Sequence, residues 1–254
     1  MMINKHEVTL KLEAADDFRY TEALKTLRTN LMFSGSKVKN ILITSTSPNE
    51  GKSTTSFELA KAFAESGKRT LYMDCDIRKS EFVSVHQIKE QTSGLSQMLT
   101  GQIELEDGFY TDPRIPNLDM IFAGPYSPNP TELFEDEMCD KLFQLIKDLN
   151  YDIVIMDTAP VGTVIDAAIL TKYADGAALV VESEVTSRHM FQRAKEQLDR
   201  TGVRFLGVIL NKVNMTKGGY YNRYYSKYGK KYGKYSKYAK YGYGYGGREE
   251  AKQK

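Results

Sequence analysis

The stretch "ILITSTSPNEGKST" constrains the fold of this chain more than any other. An apolar run leads into Gly51-Lys52-Ser53-Thr54, and a helical pattern that Gly67 can terminate follows. In such a loop, backbone N–H groups surround phosphates, the lysine contacts the β- and γ-oxygens, and the hydroxyl ligates Mg²⁺. The strict pattern has glycine where this chain has Thr46. The alternative is an ordinary strand-to-helix turn with a surface lysine, but the strand–GKST–helix context favours a phosphate site.

Five apolar runs predict the strands of an α/β domain. They alternate with helical patterns, which is typical of a P-loop NTPase-like fold with a mostly parallel sheet and helices on both faces. We expect this domain in residues 1–215, with single helices in residues 131–150 and 186–202, the second beginning at Thr186 or Ser187. The predicted strands are residues 39–46, 69–76, 151–157, 177–183 and 204–211.

Aspartates stand at the ends of two further predicted strands. Asp74 and Asp76 are two residues apart, so both can point to one side of an extended chain. Asp157 follows four apolar residues, where P-loop NTPases place an aspartate on the Mg²⁺ side, and Thr158 could support it by a hydrogen bond. Taken alone, these residues also fit a solvated loop or a helix cap. Because open α/β sheets bind ligands at this edge, we expect a nucleotide site shared with Lys52.

A further helix is predicted in residues 16–33, and we expect Glu22, Lys25 and Arg28 to run along one side of it. Apolar residues at spacings of three and four form a separate stripe, which favours packing against a core. That stripe consists of Tyr20, Leu24, Leu27 and Leu31.

Residues 216–254 have no helix or strand period, and tyrosine, glycine and lysine dominate them. They offer too little apolar surface to offset the entropy of ordering, so we predict a disordered tail. This tail holds eleven of the 35 basic and two of the 33 acidic residues, so a basic tail adjoins an acidic body. It could meet nucleic acid, anionic lipid or the acidic face of a neighbouring copy. Its tyrosines are Tyr220, Tyr221, Tyr224, Tyr225, Tyr228, Tyr232, Tyr235, Tyr238, Tyr241, Tyr243 and Tyr245.

The remaining sequence indicates a cytoplasmic protein. No apolar run approaches the length of a membrane span, and "MMINKHEVTLKLE" is unlike a signal peptide. Cys75 and Cys139 have no metal-ligand or disulfide-framework spacing, so we expect two reduced thiols.

These motifs together resemble those of the bacterial tyrosine kinases, the P-loop autokinases of capsular and exopolysaccharide operons. "TSPNEGKS", "LYMDCDIR" and "IVIMDTAP" are similar to the three phosphate-and-metal motifs of that family. The second, with Asp74, Asp76 and Arg78, is the most specific of the three. "GLSQMLTG", "AGPYSPNPTELF" and the tyrosine-rich C-terminus are also similar to family signatures. The resemblance covers nearly the whole chain and is to the short form, whose transmembrane activator is a separate protein.

The resemblance implies ATP and Mg²⁺ as cofactors and a role for each acidic residue. Lys52 would neutralise the β- and γ-phosphates, and Ser53 would ligate Mg²⁺ directly. Asp76 and Asp157 would hold Mg²⁺ through water. Asp74 would lie closest to an incoming tyrosine hydroxyl and act as its base or orienter.

The resemblance also implies a cradle for the rest of the nucleotide. Asn211 is a candidate for adenine recognition, and its alternative is an ordinary turn asparagine. The phosphates would be held by the backbone of Asn49, Glu50, Gly51, Lys52, Ser53 and Thr54.

Partners are implied by the same resemblance. The tail tyrosines would accept phosphate from neighbouring copies in a ring-like homo-oligomer. The family mediates that ring through a Glu-x-x-Arg-x-x-Arg motif, which here is Glu22, Lys25 and Arg28 with lysine at the first arginine. A transmembrane activator or polysaccharide co-polymerase would recruit the chain to the inner face of the cell membrane, and a cognate tyrosine phosphatase would oppose it. The activity would regulate capsular or exopolysaccharide biosynthesis and export, and no nucleic-acid partner is expected.

Two other functions fit part of the sequence. A partition or septum-positioning P-loop ATPase would share the fold and phosphorylate no protein, but such proteins carry an early lysine that the stretch "STSPNEG" lacks. A scaffold with a basic tail that binds nucleic acid or membrane would use residues 216–254 alone.

Overall fold

The structure, a computed structural model, describes residues 3–12 and 18–214, and the described residues up to Lys212 form one compact unit. The boundary predicted after residue 215 and the eleven tail tyrosines lie outside the described residues. The strands are Lys5–Glu7 (β1), Asn40–Ser45 (β2), Thr70–Asp74 (β3), Phe109–Thr111 (β4), Leu118–Ile121 (β5), Ile153–Asp157 (β6), Gly176–Glu182 (β7) and Phe205–Asn211 (β8).

One or two α-helices separate most consecutive strands of the described residues, and β5 follows β4 directly. Ser187 caps the last helix by accepting a hydrogen bond from the N–H of Met190 at 3.2 Å, and left-handed Gly67 follows the end of the second. The α-helices are Phe18–Phe33 (α1), Lys52–Glu65 (α2), Phe82–Val85 (α3), Leu95–Leu99 (α4), Pro130–Glu135 (α5), Glu137–Asp148 (α6), Asp166–Leu170 (α7) and Arg188–Arg200 (α8).

One eight-stranded sheet joins all the strands in the order β1-β4-β5-β3-β6-β2-β7-β8. The pairs are parallel except β4 with β5, which are antiparallel. The central strands β2, β3 and β6 are almost wholly buried, as strands covered on both faces must be. On β3 and β6, Asp74 and Asp157 are direct register partners, so both side chains leave the same face at the carboxyl edge.

Two hydrophobic clusters fill the space on the two faces of the sheet. One face packs against α1 and α2, with Leu31, Phe57 and Phe63 buried there. The other face packs against the later helices, among them α6 and α8, through residues such as Leu142 and Leu198. This is the predicted arrangement, with helices on both faces of a mostly parallel sheet.

The single helix predicted in residues 131–150 is wrong. Asp136 is extended (φ −72°, ψ 152°) and separates α5 from α6. Its carboxylate accepts a hydrogen bond from the N–H of Met138 at 2.8 Å, so it begins a new helix instead of continuing the old one. The five predicted strands are confirmed, while the short strands β1, β4 and β5 were not predicted.

The N-terminal helix α1 packs against α2 through part of its apolar stripe. Leu31 is buried, Leu27 packs partly buried against the same cluster, and Tyr20 is more exposed. No helix within the described ranges is both long enough and apolar enough to cross a membrane.

Candidate active site

The loop between β2 and α2 has the backbone of an anion-binding nest. Asn49 (φ 65°) and Gly51 (φ 81°) are left-handed on either side of Glu50. This alternation of backbone conformation turns successive N–H groups toward one concave side. The N-terminus of α2 follows at once and adds N–H groups that lack intrahelical partners. The backbone of this loop therefore has a shape that suits the predicted phosphate binding.

Glu50 holds this loop from within. Its side chain is only 3% exposed and accepts hydrogen bonds from the N–H groups of Thr46 at 2.7 Å and Ser47 at 3.0 Å. The hydroxyls of Thr46 and Thr186 donate to the same carboxylate. Thr46, which stands in place of the expected glycine, thus adds a donor to the loop. Sequence reasoning missed this role, because Thr186 lies 136 residues away and no local motif links it to Glu50.

Lys52 lies among three carboxylates at the carboxyl edge of the sheet. Its Nζ is 2.8 Å from Oδ1 of Asp157 and 3.9 Å from Oδ2 of Asp76, and it donates to the Ser53 hydroxyl at 3.2 Å. Burial alone would lower the pKa of Lys52, but Asp157, Asp76 and Asp74 outweigh it and raise that pKa. The side chain is therefore a buried, fully charged ammonium.

The surroundings of Asp74 disfavour its ionised form. It is 2% exposed, accepts a short hydrogen bond from the Ser80 hydroxyl, and accepts the N–H of Asp76 at 3.2 Å. Burial, and then the charge of Asp157 beside it, raise the pKa of Asp74 to about 7. Such a carboxylate is a stronger base than an exposed one, and perturbed groups of this kind cluster at functional sites.

Asp157 is fully buried and links the sheet to α2. Besides Lys52, it accepts the Ser56 hydroxyl at 3.1 Å and lies 3.5 Å from the Tyr72 hydroxyl. The predicted support from Thr158 is wrong. That hydroxyl donates to the carbonyl of Ile43 at 3.0 Å, so it ties β6 to β2 instead.

A cleft of about 330 Å³ opens above these groups. Arg78 lines it, but its guanidinium is engaged by Asp166, with Nε 2.6 Å from Oδ2 and Nη2 2.9 Å from Oδ1. Arg78 therefore braces the wall of the cleft at the start of α7. Apolar and aromatic residues also line the cleft, namely Phe82, Val85, His86, Pro160 and Val164.

The donor set fits a hard divalent cation that phosphates would help to hold. No group of three His, Cys, Asp or Glu side chains in the described part of the chain could hold a metal alone. Mg²⁺ is usually bound by one or two carboxylates together with substrate phosphates, so a partial protein site is what such chemistry requires. Ser53, Asp76 and Asp157 offer oxygen ligands around the P-loop lysine.

The structure brings most of the predicted site residues together. Lys52, Ser53 and the three aspartates converge at one edge, and Asn211 lies beside the phosphate loop rather than apart from it. The proposed oligomer contacts Glu22, Lys25 and Arg28 lie on α1, where Lys25 pairs with Glu22 at 2.8 Å and Arg28 donates to the carbonyl of Ala62 at 2.9 Å.

Comparison with known proteins identifies the family to which this chain is similar. A family model described as an AAA domain matches residues 38–199. The chain is 40% identical over 199 residues to the tyrosine-protein kinase CpsD of Streptococcus pneumoniae serotype 4, covering 78% of this chain and 87% of that protein. It is 36% identical over 208 residues to the tyrosine-protein kinase YwqD of Bacillus subtilis, covering 80% and 86%.

Solved structures agree with these relatives. The chimerical protein CapA2B2 has a TM-score of 0.74 at 32% identity, with 83% of this chain and 95% of that chain covered. The kinase domain of the Escherichia coli tyrosine kinase ETK has a TM-score of 0.69 at 31% identity, with 79% of each chain covered. The septum site-determining protein MinD of Pyrococcus horikoshii has a TM-score of 0.59 at 22% identity over 70% of this chain and 72% of that one, which supports the P-loop fold alone.

Proposed function

Because this chain belongs to the bacterial tyrosine-protein kinases, we propose that it transfers the γ-phosphate of ATP to tyrosines of neighbouring copies through the site around Lys52. The chain is a nucleotide-binding protein-tyrosine kinase, and the partition-type ATPase and basic-tail scaffold are not favoured. The observation that supports the residue roles is the buried ammonium of Lys52 between Asp157 and Asp76, beneath a loop of anion-binding shape.

Phosphoryl transfer depends on positioning and on neutralising charge, and both tasks fall to groups of the phosphate loop. The N–H groups of residues 49–54 would hold the β- and γ-phosphates, and Lys52 would balance their charge. The Lys52 ammonium is already oriented by its hydrogen bond to Asp157, so the Lys52 side chain needs little reorganisation when phosphate binds.

Asp74 would take the proton of the attacking hydroxyl. A tyrosine hydroxyl has a pKa of about 10, so a nearby base helps as the O–H bond breaks. The oxygen forms its new bond to the γ-phosphorus while the bond to ADP breaks, and the proton passes to the Asp74 carboxylate. The raised pKa of Asp74, about 7, makes it a better acceptor than an ordinary aspartate.

Neutralisation of the negative charge on the phosphates is the chemistry that bound Mg²⁺ would supply. Ser53, Asp76 and Asp157 are the residues that would hold it. Their oxygens lie 3.2 Å, 3.9 Å and 2.8 Å from Nζ of Lys52, so Asp76 and Asp157 also fix the position of that ammonium.

The acceptors proposed are the eleven tyrosines of residues 216–254. Their interleaved lysines would favour an acidic protein surface, and each added phosphate would bring nearly two negative charges. Phosphorylation would thus reverse the charge of this segment, and we expect it to weaken self-association. A fully phosphorylated sample that sediments as the same oligomer as the unphosphorylated one would contradict this expectation.

The partners proposed follow the same family. Copies would associate through Glu22, Lys25 and Arg28, a separate transmembrane activator would recruit them to the inner face of the membrane, and a tyrosine phosphatase would reverse the reaction. We further propose that the activity regulates the synthesis and export of a capsular or extracellular polysaccharide.

One experiment tests the activity. The purified full-length chain is incubated with labelled ATP and Mg²⁺, with and without the cytoplasmic segment of a candidate activator, and phosphotyrosine is measured. We expect phosphotyrosine from the wild type and none after deletion from Gly218 onward, which should leave nucleotide binding intact. ATP hydrolysis without phosphotyrosine under both conditions would instead support the partition-type ATPase.

A further inference from the structure

Two adjacent residues at the end of β8 hold the phosphate loop from outside. The Asn211 side-chain amide donates to the carbonyl of Glu50 at 2.9 Å, and Nζ of Lys212 donates to the carbonyl of Asn49 at 2.6 Å. The ammonium of Lys212 is also 2.8 Å from Oε2 of Glu182 at the end of β7. Two consecutive peptide carbonyls of the loop are thus bound by two consecutive residues from another strand.

The geometry of the peptide group gives these contacts a consequence at the phosphates. In a trans peptide, the C=O and the following N–H point in opposite directions within one plane. Fixing the carbonyl of Asn49 therefore fixes the N–H of Glu50, and fixing the carbonyl of Glu50 fixes the N–H of Gly51. A cation at the carbonyl end also polarises the peptide, which makes its N–H a stronger donor to an anion.

The loop needs such support because its backbone is strained. Asn49 is a non-glycine residue at φ 65°, a region that costs energy unless its surroundings enforce it. Lys212 is itself left-handed at φ 54°, a conformation that accompanies its contact with Asn49. Gly51 packs so closely on Asn211 that a Cβ there would lie 2.1 Å from its amide nitrogen.

We propose that Lys212 is a positioning residue for phosphate binding, which acts with Asn211 by orienting the N–H groups of Glu50 and Gly51. Glu182 places the ammonium, so Lys212, Glu182 and the loop work as one unit. The inference rests on the proposed nucleotide site but requires no kinase activity, because it concerns the affinity for a diphosphate.

The test compares Mg-ADP binding to full-length variants by titration calorimetry. Lys212→Met should raise the dissociation constant about fivefold to tenfold, since a loosened N–H loses part of a hydrogen bond to a charged group. Lys212→Arg should restore most of the affinity. The midpoint of thermal unfolding without nucleotide should stay within about 2 °C of wild type, because an ion pair this exposed contributes little stability.

Two further variants separate positioning from a simple charge effect. Lys195→Met removes an ion-paired lysine of α8, 2.6 Å from Asp199, and should leave the dissociation constant unchanged. Glu182→Gln removes a negative charge, so electrostatics alone would tighten Mg-ADP binding, whereas loss of positioning should weaken it. Unchanged affinity in Lys212→Met, equal loss in Lys195→Met, or tighter binding in Glu182→Gln would each overturn the proposal.

Absence of Mg-ADP binding by the wild type would contradict both this proposal and the nucleotide site, while normal binding without phosphotyrosine would contradict the kinase role alone.

Discussion

Two buried aspartates in this fold have pKa values shifted in opposite directions. Asp112, just after β4, and Asp74, at the end of β3, are 1% and 2% exposed. Burial alone would raise the pKa of Asp112, but hydrogen bonds from Arg114 and from the N–H of Leu10 lower it to about 2. At Asp74 the neighbouring charge of Asp157 adds to the effect of burial, and the pKa rises to about 7.

The difference lies in the charge of the donors: Asp112 accepts hydrogen bonds from a guanidinium, whereas those to Asp74 come from neutral groups, the Ser80 hydroxyl and the N–H of Asp76. Asp112 accepts the N–H of Leu10 at 3.0 Å, the N–H of Arg114 at 3.0 Å and its guanidinium at 2.6 Å and 2.9 Å, so the chain itself satisfies the carboxylate. Asp74 faces another carboxylate and shares a single ammonium with it. A buried carboxylate in this state is costly for the folded protein, and such costs are typical of functional sites.

The largest effect should come from removing the shared cation. Lys52→Met should lower the initial rate of phosphotyrosine formation by about a thousandfold, since the developing phosphate charge then loses a preorganised partner. Labelled-phosphate incorporation into the full-length chain measures this rate. The matched substitution Lys195→Met, on an exposed ion pair of α8, should not change it. A Lys52→Met enzyme with wild-type activity would remove the basis for the site.

The second largest effect should be a loss of unfolding free energy when Asp112 is replaced. Asp112→Asn should cost about 3 kcal/mol of unfolding free energy at pH 7, because charge-assisted hydrogen bonds are lost and Arg114 is left without its anion. The folded-state pKa of Asp112 lies below its unfolded value, so its stabilisation is present above about pH 4 and is lost as the pH falls toward 2. Urea unfolding of both proteins at pH 7 and pH 2 should show the difference in unfolding free energy shrinking at the lower pH, and a difference independent of pH would be evidence against this assignment.

The opposite sign is expected at Asp74. Between about pH 4 and pH 7 the folded state retains a proton on Asp74 that the unfolded chain has lost, so this residue costs stability increasingly as the pH rises. Asp74→Asn should therefore raise the unfolding free energy by about 2 kcal/mol at pH 8 and by little at pH 4. Nucleotide-free unfolding curves at the two pH values provide the measurement. A variant less stable than wild type at pH 8 would show that Asp74 is held as favourably as Asp112.

The smallest change in unfolding free energy should come from removing one of the two partners of Asp119. Asp119 accepts the Tyr151 hydroxyl at 2.8 Å and pairs with Lys5, also at 2.8 Å. Tyr151→Phe removes one donor and leaves the other, so we expect a loss of about 1 kcal/mol in urea unfolding, with the rate of phosphotyrosine formation unchanged. A loss as large as that of Asp112→Asn would mean that the Lys5 pair does not compensate.

Much of the fold was predictable because its signals are local. The central strands are apolar runs, and their order of alternation with helices determines a parallel sheet. β1, β4 and β5 have only three or four residues each, too few for a period to appear. Asp136 was missed as a break because acidic residues surround it, and only its extended backbone distinguishes a cap from another helical position.

The site residues that follow strand ends were predictable from the sequence. The side chains that hold the phosphate loop from distant parts of the chain were not. Lys52 and the three aspartates follow strand ends that meet at one edge, so topology alone brings them together. Glu50 and Thr186 contact each other across 136 residues, and Lys212 reaches Asn49 across 163. Such pairs depend on the three-dimensional packing of β7 and β8 against the loop, which no local spacing encodes.

The most direct test of this contrast is the rate of phosphotyrosine formation in a matched pair of variants. Asp74→Asn and Asp112→Asn each replace one buried carboxylate by its amide, and the rate is measured at pH 7.5 per mole of folded full-length protein. We predict that Asp74→Asn loses activity by about a hundredfold or more, the usual contribution of a general base, while Asp112→Asn retains the wild-type rate. Wild-type activity in Asp74→Asn, or equal losses in both variants, would contradict the assignment of Asp74 to the chemistry and of Asp112 to the fold.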